Sequence, residues 1–218
     1  MLQTITHRAA VSVRPEQQRN AEGEIEERIR DRSAQLCVIG LGYVGLPLAL
    51  EMAKEGFRVT GIDIDSAKVE SVNSGRSYIT DVDNETLRST IDNGTLRATQ
   101  SFAALESVDV ISICVPTPLR KSKDPDLSYI IAAVEAIHNH LRPGKLIVLE
   151  STTYPGTTRE VVRPILEKSG LTAGIDFFLA YSPERVDPGN KTFTTHNIPK
   201  VIGGMTPRCT AVATLLYE

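Results

Sequence analysis

The chain has 218 residues, with 24 Lys and Arg against 27 Asp and Glu, 41% apolar residues and 5% aromatics, which suits one well-filled α/β domain with a small extension. A net charge of −3 supplies no basic field, so neither nucleic acid nor an acidic membrane is expected as a partner. Cys37, Cys114 and Cys209 are odd in number and far apart, no apolar run reaches a membrane span, and the opening residues lack a signal's apolar core, so a cytoplasmic protein without disulfides is expected.

In chain order, residues 1–23 are polar and aperiodic and read as a loose tail, and residues 24–218 read as one domain. Glu24 to Arg32 carries dense mixed charge with Glu26 and Arg30 at i, i+4, which predicts a short exposed helix. Leu36 to Ile39 is an apolar run closed by glycine, as in a strand buried on both faces. Val44 to Glu55 has helical spacing, and Phe57 to Asp63 reads as the second strand. Ser66 is placed to cap a helix ending near Asn73, and Asn84 to Asn93 predicts another helix. Val108 to Val115, Leu146 to Leu149, Phe177 to Tyr181 and Lys200 to Gly203 read as further strands. Leu127 to Leu141 and Thr157 to Ser169 are helical by spacing, and Thr206 caps a last helix. Strands alternating with helices predict a Rossmann-like α/β fold, a doubly wound parallel sheet with helices on both faces.

Gly40-Leu41-Gly42-Tyr43-Val44-Gly45 is G-x-G-x-x-G between a predicted strand and a predicted helix. Gly40 suits a tight turn, Gly42 lets a pyrophosphate approach the backbone, and Gly45 lets helix and strand pack closely. Eighteen residues past Gly45, Asp63 ends the second strand. A carboxylate there accepts from an adenosine ribose and repels a 2′-phosphate, which favours NAD over NADP. Lys68 is placed to reach the same ribose or to sit in solvent. Asp65 competes for the ribose role, and Asp63 is preferred because the extended strand ends there.

Three proline-stiffened polar segments follow strands: Val115 to Pro118, Glu150 to Thr158, and Tyr181 to Asn190. Ligands of open parallel sheets bind beyond such carboxyl ends, so their convergence on one edge marks a site. Val38 to Pro47, Val115 to Pro118, Ser151-Thr152 and Ser182-Pro183-Glu184 resemble the nucleotide-sugar 6-dehydrogenases, the UDP-glucose/GDP-mannose dehydrogenase family, over about residues 25 to 218.

The resemblance implies oxidation of a nucleotide-linked sugar's C6 alcohol to a carboxylate, with reduction of two NAD⁺. Asp124 to Tyr129, Glu150 to Thr158 and Ser182 to Asn190 are most similar to the branch acting on UDP-N-acetylglucosamine, which serves polysaccharide biosynthesis. UDP-N-acetylmannosamine and UDP-glucose are the alternative substrates. On the matched positions, Gly40, Gly42, Tyr43, Val44, Gly45, Asp63 and Lys68 would hold the adenosine diphosphate half of NAD. Thr117 would line the cleft, and Ser151 and Thr152 would sit near the nicotinamide. Thr152 would also order the reacting hydroxyl or water, and Glu184 would be the acid/base carboxylate.

Two positions depart from the family pattern. Arg185 stands where many relatives have Phe, and Pro188 stands where UDP-glucose enzymes have a second Glu, with Asp187 one position earlier. The second departure points away from glucose, and Arg185 and Asp187 are candidates for contacting the substrate, Arg185 through a phosphate or the acetamido sugar.

The resemblance also implies a nucleophilic cysteine, a lysine and an asparagine beyond this length, on central helical and UDP-binding parts through which relatives form homo-oligomers. Cys37 and Cys114 read as core residues and Cys209 matches no motif, so this chain alone is expected to bind NAD⁺ without turnover. The four histidines have no metal spacing, so no metal is expected. A stand-alone NAD-binding regulatory module is the reading from another class. Thr152 and Glu184 speak against it, because a pure NAD binder needs neither.

Overall fold

Alternation along the strands decides how this chain divides its interior. In the computed structural model, which describes residues 24–121, 124–183 and 199–218, seven strands form one sheet. They are β1 (Gln35–Ile39), β2 (Arg58–Ile62), β3 (Leu96–Thr99), β4 (Val110–Ile113), β5 (Leu146–Leu149), β6 (Phe178–Tyr181) and β7 (Gly203–Gly204), in the order β3-β2-β1-β4-β5-β6-β7. Leu36 and Val38 of β1 face one core while Cys37 and Ile39 face the other, and β5 divides Leu146 and Val148 from Ile147 and Leu149 in the same way. Strands filled by apolar residues on both faces need helices on both faces. The tail of residues 1–23, and with it Glu184, Arg185 and Asp187, lies outside the described residues.

One face carries α1 (residues 24–30), α2 (Gly45–Lys54), α4 (Asn84–Asp92) and α7 (Pro207–Tyr217), which bury Ile29, Leu46, Leu87 and Val212. The other carries α5 (Ser128–Asn139) and α6 (Arg163–Glu167), with Ile130, Val134 and Leu166 inside. Helix α3 (Ser66–Asn73) follows β2 and buries Val72. Strands β1 to β6 are parallel, and the chain leaves β1 in opposite directions to reach β2 and β4. The reversal opens a crevice at the carboxyl ends of β1 and β4.

Several expectations need correction. The helix at residues 24–30 is exposed on one side only: Ile25 and Ile29 are buried, and burying Ile29 contributes roughly 2 kcal/mol. Arg28 donates to Asp109 at 2.7 Å and Arg208 to Glu26 at 3.1 Å, so α1 is held at both sheet and helix α7. Asp65, not Ser66, caps α3, accepting from the Ala67 N–H at 2.9 Å. The strand β3 was not foreseen, because its four residues alternate around a charged Arg97 and bury only Leu96 and Ala98. A 3₁₀ turn over Phe102–Ser107 follows it.

Lys200 to Gly203 is not a strand. The sheet gains only Gly203–Gly204, paired antiparallel to β6, so the sheet is not wholly parallel. Gly204 lies so close to α7 that an added Cβ would sit 2.2 Å from the Thr210 nitrogen. The helix expected from Thr157 to Ser169 begins as a π turn over Thr158–Val162 before α6, where Pro164 has no N–H to donate. His138 and His140 are half-buried.

Candidate cofactor site

The turn between β1 and α2 is set by steric necessity. Gly40 has φ +92°, and its N–H donates to Ile62 O at 2.7 Å, tying the turn to β2. A Cβ on Gly45 would lie 1.8 Å from Gly40 O, so the first turn of α2 can reach β1 only with glycine there. Gly42 has open space around it: nothing lies within 4 Å of where its Cβ would be. No side chain caps α2 and no acidic residue sits in its first turn, so its amide groups keep their positive end facing the crevice.

Asp63, 7% exposed, braces this turn. Its Oδ2 accepts from the Leu41 N–H at 2.8 Å, its Oδ1 accepts from the Asp65 N–H at 3.0 Å, and Lys68 Nζ stands 3.4 Å from Oδ2. An ionised carboxylate has about four acceptor positions, so beside these three contacts about one remains for a ribose hydroxyl. Asp65 caps α3 through Oδ1 and also lines the cleft. Tyr78 donates from its hydroxyl to Leu41 O at 2.6 Å and completes the brace. Burial and the charges of Asp63 and Asp65 push the Tyr78 hydroxyl up, so it stays a donor.

At the other end of the crevice, hydroxyl groups join the turns after β4 and β5. Ser151, buried, donates to Val115 O at 2.8 Å or to Ile113 O at 3.2 Å. Thr117 donates to Thr152 O at 2.6 Å. Thr152 is exposed and the Ser151 side chain is spent on the β4 turn, so of this pair it is Thr152 that is open to a ligand.

The two ends line one cleft of about 700 Å³ that includes Gly40, Gly42, Tyr43, Val44, Asp63, Lys68, Thr117, Ser151 and Thr152. Nine of the residues singled out in the sequence therefore meet in one place. Gly45 stands behind the cleft wall, packed on Gly40. Glu184, Arg185 and Asp187 are outside the described residues. Sequence reasoning missed Phe102 and Tyr129 in the wall, Tyr78 in the brace, and Glu150 at the floor. Only Glu150 left a signal, as a charge directly after four buried apolar residues.

The three cysteines are buried. Burial pushes the Cys37 thiol up to about 12, and the Cys209 N–H donates to Thr206 Oγ1 at 3.1 Å as part of the α7 cap. Among the described residues no group of three or more His, Cys, Asp or Glu is placed to hold a metal, and no helix is long and apolar enough to cross a membrane.

Comparison with known proteins fits this geometry. The NAD-binding domain model of the UDP-glucose/GDP-mannose dehydrogenase family matches residues 34–218. The UDP-N-acetyl-D-glucosamine 6-dehydrogenase of Pseudomonas aeruginosa is 38% identical over 188 residues, 86% of this chain and 44% of that protein. The UDP-N-acetyl-D-mannosamine dehydrogenase of Pyrococcus horikoshii is 36% identical over 185 residues, 84% of this chain and 44% of that protein. A crystal structure of an NDP-N-acetyl-D-galactosaminuronic acid dehydrogenase from Methanosarcina mazei superposes with a TM-score of 0.79 at 31% identity, over 88% of this chain and 44% of that one. The chain thus spans less than half the length of the relatives it matches.

Proposed function

Because the chain belongs to the UDP-glucose/GDP-mannose dehydrogenase family and carries its NAD-binding domain, we propose that it is the cofactor half of an enzyme oxidising C6 of a UDP-linked N-acetylhexosamine. The observation that carries this reading is the single cleft joining an uncapped glycine turn to Thr117 and Thr152. Gly40, Gly42, Tyr43, Val44 and Asp63 bind the adenosine diphosphate half, with Gly45 holding the turn and Lys68 at the ribose rim. The nicotinamide lies toward Ser151 and Thr152. NAD supplies the hydride acceptor when bound. Thr152 orders the reacting hydroxyl, and Glu184 serves as acid/base, with Arg185 and Asp187 toward the substrate.

UDP-N-acetylglucosamine is the first substrate to test, because Asp124 to Tyr129, Glu150 to Thr158 and Ser182 to Asn190 resemble that branch and the Pseudomonas enzyme is among the relatives. The 36% identity to a UDP-N-acetyl-D-mannosamine dehydrogenase supports its 2-epimer as the second. In this reading residues 24–218 form the cofactor domain, and the part of the relatives that this chain does not span carries the nucleophile and the uridine site. With all three cysteines buried, this chain binds NAD⁺ without oxidising a sugar. Calorimetry of the folded chain with NAD⁺ tests the binding, and absence of heat from a folded sample overturns it. Assay of a full-length enzyme containing this domain, with both epimers and UDP-glucose, decides the sugar.

A further inference from the structure

Glu150 is a carboxylate with no exposure, at the floor of the cleft directly before Ser151 and Thr152. Strand alternation puts its side chain on the α7 side, with Val148 and Cys114. Its Oε2 accepts from Lys200 Nζ at 2.8 Å, and its Oε1 accepts from the Tyr217 hydroxyl. The Lys200 side chain is 11% exposed, and its ammonium lies 5.1 Å from the centre of the Tyr217 ring. Burial, and then the Glu150 charge, push the Tyr217 hydroxyl well up, so it remains a donor.

Stability alone does not call for such a group. A buried ion pair costs several kcal/mol in lost hydration per ion, and well-packed apolar residues of similar volume commonly serve stability as well or better. What the charges add is direction. With one oxygen on Lys200 and the other on Tyr217, the plane of the carboxylate is fixed, and with it the peptide that leads into Ser151. That peptide is also held from the other side, because the N–H groups of Glu150 and Ser151 both donate to Ile113 O, at 2.9 and 3.1 Å.

We propose that Glu150, held by Lys200 and Tyr217, is a positioning residue that sets the Ser151-Thr152 turn and ties the nicotinamide end of the cleft to α7. The proposal rests on the reading that NAD binds here with its nicotinamide toward Thr152. It predicts an effect confined to one half of the cofactor, since the adenosine end is built by Gly40 to Gly45 and Asp63 without these residues.

The test is titration of the 218-residue chain, wild type and variant, with NAD⁺ and with ADP-ribose, which lacks the nicotinamide. Glu150→Gln weakens NAD⁺ by about tenfold and leaves ADP-ribose unchanged. Nicotinamide emission of bound NADH also falls. Should Glu150→Gln unfold, the Glu150→Met/Lys200→Met double variant decides, because it leaves neither charge buried alone. Unchanged NAD⁺ affinity in a folded variant, or equal loss for both ligands, overturns the positioning role. A folded wild-type chain that binds neither ligand overturns the NAD reading and this proposal together.

Discussion

The two ends of the cleft are built by different means. The glycine end is local: Gly40, Leu41 and Asp63 brace one another across a single strand–helix–strand unit, and the Leu41–Asp63 bond spans 22 positions. The hydroxyl end is assembled from distant pieces, with Ser151 reaching 36 positions back to Val115, and Glu150 reaching 50 and 67 positions forward to Lys200 and Tyr217. The first end is dictated by backbone sterics, so a side chain in the wrong place destroys it. The second is held by side-chain hydrogen bonds, worth about 0.5–1.5 kcal/mol between neutral groups and about 1.5–3 kcal/mol at the Glu150 carboxylate, so losing a neutral one loosens it.

The sharpest break in that comparison is Gly45→Ala. The added methyl would stand 1.8 Å from Gly40 O, so the turn must open, and a loss of about 3 kcal/mol or more is expected in denaturant unfolding. Gly42→Ala separates binding from folding at the same end. Its methyl meets nothing within 4 Å, so stability holds while calorimetry shows NAD⁺ affinity down by at least about tenfold, because the pyrophosphate loses its approach. Ser151→Ala probes the other end. It removes one buried hydroxyl and its acceptors are carbonyls of the β4 turn, so unfolding is expected to shift by only about 1 kcal/mol.

A control lies away from both ends of the cleft and is expected to have the smallest effect on NAD⁺ binding. Lys145, 4% exposed at the start of β5, donates to Leu105 O at 2.5 Å, and burial and then Arg142 hold its ammonium down from 10.5 to about 8. Between those values the unfolded chain keeps the proton that the folded one has lost, so this group's contribution to stability rises with pH from about 8 to 10.5. Comparing the thermal unfolding profile of Lys145→Met with wild type isolates that slope. NAD⁺ affinity is expected to be the same in both.

The same contrast explains what could be read in advance. Gly40 to Gly45 and Asp63 announce themselves because their spacing is the geometry: strand, turn, helix and strand end follow each other in the chain. Thr117, Ser151 and Thr152 were legible only as polar turns after strands, and the bonds that join them were not. Asp65 and Ser66 are both good caps, and only the backbone shows that the carboxylate takes the role. Lys200 to Gly203 has a strand's composition, yet Lys200 is drawn to the buried Glu150 and the sheet admits only two glycines. Tyr78 carries no pattern, since it reaches Leu41 from 37 positions away in an irregular stretch.

Helix α1 has a consequence for how the chain is made. The ties of its described residues, 24–30, run to Asp109, 81 positions after Arg28, and to Arg208, 182 positions after Glu26. On a ribosome adding about 5–20 residues per second, that last partner arrives roughly 10 to 40 s after the helix itself has been made. The segment that emerges early is therefore among the last to settle. During translation Ile25 and Ile29 wait until the later partners of this segment have been made.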